Sequence, residues 1–294
     1  MTLARVALAA AIALLAAALP HVRADSTESP RVSWHPARPR PGTVAWMHVH
    51  GVQEGAALEG TVGGRPLSFF PHGDAQAALV GFDIETKAGP VPWTLAVRVP
   101  GDEPRVHHGR VTVQRRDFPV QHLTLPTAMV DLDPETERRA VREGEELRTL
   151  YRTVSPERLW RGAFIHPLRA PVPGTNFGSR RVINGQPRAP HGGADYAAPM
   201  GTPVVAANAG RVAVVADHFF PGRLVALDHG LGLHTLYFHL DRTSVVEGER
   251  VERGQVIGSV GATGRATGPH LHFGVQVGSA RVDPASLLEL GIRD

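Results

Sequence analysis

Through most of this 294-residue chain, apolar residues alternate with polar ones in short runs, and glycine or proline interrupts the pattern every few residues. Period-two alternation places successive side chains on opposite faces of a strand, so the chain is expected to be mainly β. Hydrophobic residues make up 42% and charged residues 20%, enough apolar material for the cores of one large or two ordinary domains.

The pattern divides the chain. From Ser26 to Leu125, the runs "TVAWMHVHGV", "ALVGFDIET", "PWTLAVRVP" and "GRVTVQRR" predict an N-terminal Ig-like β-sandwich over 25–125. A linker over 126–160 carries "DPETERRAVREGEELRTLYRTVSP", with Asp133 as N-cap and Pro134 at the first helical position. Ala140, Gly144, Leu147, Tyr151 and Val154 recur at 4,3,4,3 spacing, which predicts an amphipathic helix limited by Pro156. Its Glu135/Arg139 and Arg142/Glu146 pairs read as a solvated face. After Trp160, "GTPVVAANAGRVAVVAD", "RLVALDHG", "LHTLYFHL" and "QVIGSVG" predict a second, antiparallel β domain over 161–294.

Residues 1–24, "MTLARVALAAAIALLAAALPHVRA", have a basic start, a fourteen-residue apolar run and a small-residue end. The run is shorter than the ~20 residues that span a bilayer, so a cleaved export signal is expected, with no membrane span afterwards. The destination is then periplasmic or extracellular. No cysteine is present, which rules out disulfides and a lipid-bearing N-terminal cysteine. Loss of Arg5 and Arg23 with the signal lowers the formal charge from +3 to +1, and no basic tract suits nucleic acid. Lys87 is the single lysine, which excludes both a phosphate-binding GxxxxGK[ST] loop and a carrier lysine in "VVEGERVERGQVIGSVG".

Histidine spacing carries the chemistry. His270 and His272 in "GPHLHFGV" stand on one face of a strand, about 7 Å apart at their Cα atoms. "MHVH" repeats this spacing at His48 and His50, so the spacing alone is no signal, and that first pair reads as structural. His191 and Asp195 in "HGGADYAAP" would lie about 13 Å apart if extended, and Gly192 and Gly193 permit the bend that brings them together. His239 in "LYFHLD" is a further candidate. Two histidines and a carboxylate make a zinc set with one open position, while remaining histidines supply acid and base for amide hydrolysis. Spacing does not say which three are the ligands. His229 reads as a turn residue, and His166, His218 and His234 have no spacing argument.

The segments "NFGSRR", "HGGADYAAPMGTPVVAANAGRV", "LYFHL" and "TGRATGPHLHF" occur in an order and spacing that resemble LytM-type zinc peptidases, the M23 family of lysostaphin relatives, over about Phe164 to Leu288. The resemblance implies one Zn2+ per chain on His191, Asp195 and His272, with His239 and His270 as general base and transition-state stabiliser. It places Asn176 and Arg180 beside the groove in a substrate-binding or supporting role. Phe238 and Tyr196 depart from the family pattern and are expected to reshape the groove. The implied fold is a compact antiparallel β core, and the implied substrate is a peptide stem or cross-bridge of bacterial peptidoglycan. The alternative is a non-hydrolytic LytM-like protein that binds the wall or activates an amidase, but such relatives tend to lose zinc-site residues that this chain keeps. The first domain is expected to pack and space, with wall-polymer binding, or occlusion of the groove relieved by a regulatory protein partner, as the other options.

Overall fold

The computed structural model describes residues 29–169, 174 and 176–291; the expected signal, 1–24, lies outside the described residues. Among these, β1 (Arg31–His35), β2 (Val44–His50), β3 (Ala57–Val62), β4 (Arg65–Pro66), β5 (Phe70–His72), β6 (Ala75–Gly81), β7 (Gly89–Arg98), β8 (Arg105–Val113) and β9 (Val120–Leu123) precede the long helix α1 (Pro134–Arg152). After it come β10 (Arg180–Ile183), β11 (Gln186–Pro187), β12 (Gly193–Ala197), β13 (Pro203–Val205), β14 (Gly210–His218), β15 (Gly222–Gly230) and β16 (Leu233–Thr243). The chain continues with β17 (Arg250–Val251), β18 (Val256–Val260), β19 (His270–Val277), β20 (Ala280–Val282) and the short helix α2 (Pro284–Leu288). No described helix is long and apolar enough to cross a membrane.

Two four-stranded sheets, β1-β2-β6-β5 and β4-β3-β7-β8, share an apolar core that includes Met47, Val49, Val80, Leu95 and Val111. Strand β2 shows why its sequence is nearly continuous in apolar residues. Ala45, Met47 and Val49 point into this sandwich, whereas Val44 and Trp46 point the other way into the core of the C-terminal sheet. A strand covered on both faces has no polar side to alternate with. Trp160 is fully buried in that second core, edge-on to Phe70 at 5.8 Å. Polar ties reinforce the packing: Arg281 pairs with Asp83 at 3.0 Å, and Arg116 with Asp283 at 2.7 Å.

The C-terminal segment is built on a nine-stranded sheet with β12-β19-β16-β15-β14-β17 as its main path. Strand β16 is its hub, pairing with β15 and β19 along most of its length and with β18 near its end. A smaller sheet departs from expectation. Strand β9, before the end of the predicted sandwich at 125, pairs in parallel with β10 and thus belongs beside the C-terminal segment.

Helix α1 starts as its sequence dictates: the Asp133 side chain accepts from Glu135 N at 2.9 Å and Thr136 N at 3.1 Å, and Pro134 opens the first turn. Such a cap contributes about 1 kcal/mol. The helix ends at Arg152, ahead of Pro156. The expected apolar stripe divides along its length: Leu147 and Tyr151 pack on Val214, Leu224 and Leu236, while Ala140 and Gly144 line a groove, and Val154 is exposed beyond the helix end. The four residues of the expected pairs, Glu135, Arg139, Arg142 and Glu146, are exposed, and part of the charged face also contacts a neighbouring hairpin. Arg139 Nη2 donates to the Asp217 carbonyl at 2.9 Å, Glu143 accepts from Phe219 N at 2.7 Å, and Glu146 meets His218 at 3.1 Å. These contacts tie the helix to the β14–β15 hairpin, whose tip needs partners for its own backbone groups.

Candidate metal centre and active site

Strand register assembles the centre. In the β12–β19 ladder Asp195 lies directly opposite His272, and Ala197 opposite His270. Directly opposed residues of an antiparallel pair project to the same face, so the carboxylate and one imidazole meet while the other histidine sits one step along. His272 Nδ1 is 2.8 Å from Asp195 Oδ1, and His270 Nε2 is 3.8 Å from the same oxygen. His191, held by backbone hydrogen bonds to Ser179 and Gly178, brings its Nε2 within 2.9 Å of His272 Nδ1 and 3.1 Å of Asp195 Oδ1. His191, Asp195 and His272 thus form the one group of potential metal ligands found among the described residues.

The glycines between His191 and Asp195 act differently from expectation. Neither Gly192 nor Gly193 has a positive φ. A Cβ on Gly193 would lie 2.6 Å from His272 Nε2 and 2.6 Å from the Phe273 carbonyl, so this glycine makes room for the His272 ring.

Asn176 and Arg181 hold the triad in place. Asn176 Nδ2 donates to Asp195 Oδ2 at 2.8 Å, its Oδ1 accepts from Asp195 N at 3.0 Å, and its carbonyl accepts from His191 Nδ1 at 3.1 Å. Arg181 Nη2 donates to Asp195 Oδ2 at 3.1 Å. The expected Arg180 points away and pairs with Glu85, because neighbouring residues on β10 face opposite sides. Sequence parity did not distinguish the two arginines, since "RRVI" has an apolar residue on each face.

The donor set suits a divalent cation. Because His191 Nδ1 donates to a carbonyl, its Nε2 presents a lone pair, and burial lowers the ring's pKa to about 4, leaving it neutral at pH 7. That lone pair faces the carboxylate oxygen Asp195 Oδ1. Burial by itself would raise the Asp195 carboxyl, but hydrogen bonding at the centre, with His272 Nδ1 as donor, outweighs it and holds the group well below the usual carboxylate range. One proton on His272 Nδ1 cannot satisfy both other atoms at once. A tetrahedral ion with bonds of about 2.0–2.1 Å sets its ligand atoms about 3.3 Å apart, so zinc needs an opening of only a few tenths of an ångström.

His239 lies next to this set, with its ring centroid 4.7 Å from His270 and 6.0 Å from His272. Its φ of 61° and the register shifts on both sides of β16 mark a bulge that turns the side chain toward the centre. His239 N donates to the Pro221 carbonyl, and its Nδ1 donates to the Thr263 carbonyl at 2.8 Å, leaving Nε2 as proton acceptor. Burial, with the neighbouring His272 and His270, lowers its pKa to about 3. His270 Nδ1 likewise donates to the Gly268 carbonyl at 2.8 Å. Phe238 stacks on His272 at 5.1 Å and 8°, so this departure from the family pattern does touch the centre. Tyr196 does not: it faces the opposite side from Asp195 and is buried in the core against His166. His229 is fully buried rather than in a turn, bonded to the Ala209 carbonyl and Thr235 Oγ1. His218 and His234 also lie outside the centre, the first on Glu146 and the second near Asp228.

The centre opens on a groove of about 820 Å3, lined on one side by His191, His239 and His272 and on the other by α1. Residues 189–284, which include His191, Asp195, His239, His270 and His272, match the model of peptidase family M23. A crystallised M23 peptidase of Pseudomonas aeruginosa is 34% identical, with a TM-score of 0.67, and the match covers 86% of this chain and 96% of that one. The chain belongs to the M23 peptidase family. Among curated relatives of this M23 chain, peptidoglycan DD-endopeptidase ShyB of Vibrio cholerae is 47% identical over 94 residues, 32% of this chain and 22% of the relative. DD-carboxypeptidase/endopeptidase Mpg of Neisseria meningitidis is 45% identical over 97 residues, 33% of this chain and 22% of the relative. The M23 chain thus matches under a quarter of the length of either.

Proposed function

We propose that this M23 peptidase is an exported, zinc-dependent endopeptidase that cleaves peptide cross-links or stem peptides of bacterial peptidoglycan. The observation that carries the reading is the convergence of His191 Nε2, Asp195 Oδ1 and His272 Nδ1 within 2.8–3.1 Å beside two further histidines. The names of the curated relatives supply the substrate class. Bound to these three residues, zinc would act as a Lewis acid and supply a nucleophilic water near neutral pH. His239, whose Nδ1 is committed to the Thr263 carbonyl, presents Nε2 to take the proton released on attack. His270, oriented by the Gly268 carbonyl, stabilises the charge that develops on the reacting carbonyl. Asn176 and Arg181 keep the Asp195 carboxylate aimed.

The reading includes a sandwich over 25–125, a linker over 126–160 and a peptidase domain over 161–294, with β9 docked on the last. The sandwich acts as a packing and spacing module. The test is incubation of the zinc-loaded protein with purified peptidoglycans of several cross-link types, followed by mass spectrometry of released fragments. Specific cleavage that disappears in His239→Ala is the expected result. No cleavage of any wall type by protein containing zinc would overturn the hydrolytic reading in favour of wall binding or amidase activation.

A further inference from the structure

The groove beside the metal centre carries more positive charge than the proposed chemistry uses. Arg181, Arg188 and Arg265 all line it together with His191, His239 and His272. Two of the three are engaged: Arg181 with Asp195, and Arg188 with Gln186 Oε1 at 2.6 Å and the Val130 carbonyl at 3.4 Å. Arg265 differs. Its guanidinium lies 4.1 Å over the Phe220 ring, and no ion pair with a described carboxylate holds it. Burial lowers its pKa to about 10, and the charges bearing on it, Arg181 and Arg188, are both repulsive. The acidic residues lining the groove are Asp131 and Glu137, and Asp131 accepts from Gln186 Nε2 on the side of Arg188, which donates to the same glutamine.

A partly desolvated cation beside two like charges is costly unless an anion joins it. The position of Arg265 is nonetheless fixed by the fold. Its backbone N donates to the Phe220 carbonyl at the hairpin tip, one residue from the Pro221 carbonyl that orients His239. Gly222 and Gly264 allow these two loops to touch, since a Cβ on Gly264 would lie 2.2 Å from Gly222 N. The same loop contact therefore sets both the proposed proton acceptor and the guanidinium.

We propose that Arg265, supported by Arg188, forms an anion subsite that selects peptides with a free carboxylate on a residue next to the scissile bond. The inference rests on the groove being the peptide-cleaving site. It adds a specificity that the metal centre does not supply: acidic cross-links are cleaved in preference to neutral bridges.

The test uses a matched pair of cross-linked peptides that differ only in a carboxylate or carboxamide at that residue. Cleavage kinetics and calorimetric binding are measured for the full chain, Arg265→Gln and Arg265→Lys. The carboxylate peptide is expected to be preferred by at least about tenfold, the low end of a charge-assisted hydrogen bond. In Arg265→Gln the preference disappears through a higher KM for the carboxylate peptide, with kcat and the carboxamide peptide little changed, and Arg265→Lys restores part of it. Equal use of both peptides by the wild type, or an equal loss on both in Arg265→Gln, overturns the subsite while leaving the hydrolytic reading intact. Carboxylate-selective binding through Arg265 without cleavage leaves the subsite standing and removes the hydrolytic reading. If neither peptide is bound or cleaved, both fall.

Discussion

Two HxH pairs in this chain have the same spacing and opposite outcomes. His48 and His50 lie on β2 of the sandwich, where His48 Nε2 meets His72 Nδ1 at 3.1 Å and His50 Nε2 meets Ser33 Oγ at 3.3 Å. The nearest carboxylate, Asp74, is 3.9 Å from His50 and almost wholly in solvent. His270 and His272 lie on β19, and Asp195 faces His272 across the ladder. The comparison teaches that two imidazoles on one strand face do not by themselves make a candidate metal site; a half-buried carboxylate in register on the next strand completes one. It also separates the members of the second pair, because only His272 has that carboxylate opposite.

The strongest way to break this comparison is to remove the element that the sandwich cluster lacks. Asp195→Ala, or His191→Ala, is expected to abolish both bound zinc and hydrolysis, read by metal analysis of the purified protein and by fragment release. Full zinc content in either variant would refute the assignment. His239→Ala should lower kcat by about 10^2- to 10^4-fold, the usual contribution of a general base, with zinc content unchanged. Loss of zinc there would instead make His239 part of the metal set. A smaller effect is expected from Asn176→Ala, which leaves every ligand in place but frees the carboxylate and His191. Zinc affinity should weaken by about 10- to 100-fold in chelator competition.

The smallest effect sharpens the contrast from the other side. His48→Gln should leave zinc at one ion per chain and peptidase activity unchanged. Its signature is in stability: burial, then the neighbouring His72, His50 and His35, lowers the His48 pKa below its ordinary value. The unfolded chain then binds more protons as the pH falls below about 6.5, so stability is lost on acidification. The melting temperature of His48→Gln should accordingly fall less than that of the wild type between about pH 7 and pH 5. An equal fall would show that His48 contributes nothing to acid sensitivity.

Much of the fold was legible because local rules and tertiary packing agree. Asp133 and Pro134 open α1, and the alternating runs after Trp160 become β13 to β16 and β18. Strand β9 lies inside the span expected for the sandwich yet pairs with β10, because alternation marks a strand without naming its partner. The charges on α1 are exposed as expected, but i,i+4 spacing finds partners only within a helix and is blind to the hairpin that Arg139, Glu143 and Glu146 also contact. At the centre, the histidines and Asp195 were visible as residue types in a familiar order. Arg181 was not, since its use depends on which face of β10 meets Asp195. Arg265 gave no signal at all, because its separation from the described carboxylates is a property of the folded groove.

The sequence by itself determined that this chain is mainly β, where its helix begins, and which histidines and aspartate stand in the M23 pattern. Those features follow from side-chain period, capping chemistry and residue type, all of which act over a few neighbouring positions. Only the tertiary structure decided that Asp195 faces His272, that Gly193 leaves space for that ring, that Arg181 rather than Arg180 holds the carboxylate, and that Arg265 lies in the groove with no ion pair to a described carboxylate. Each depends on strand register or loop contact between residues far apart in the chain, and a shift of one residue in register would turn every such side chain to the other face.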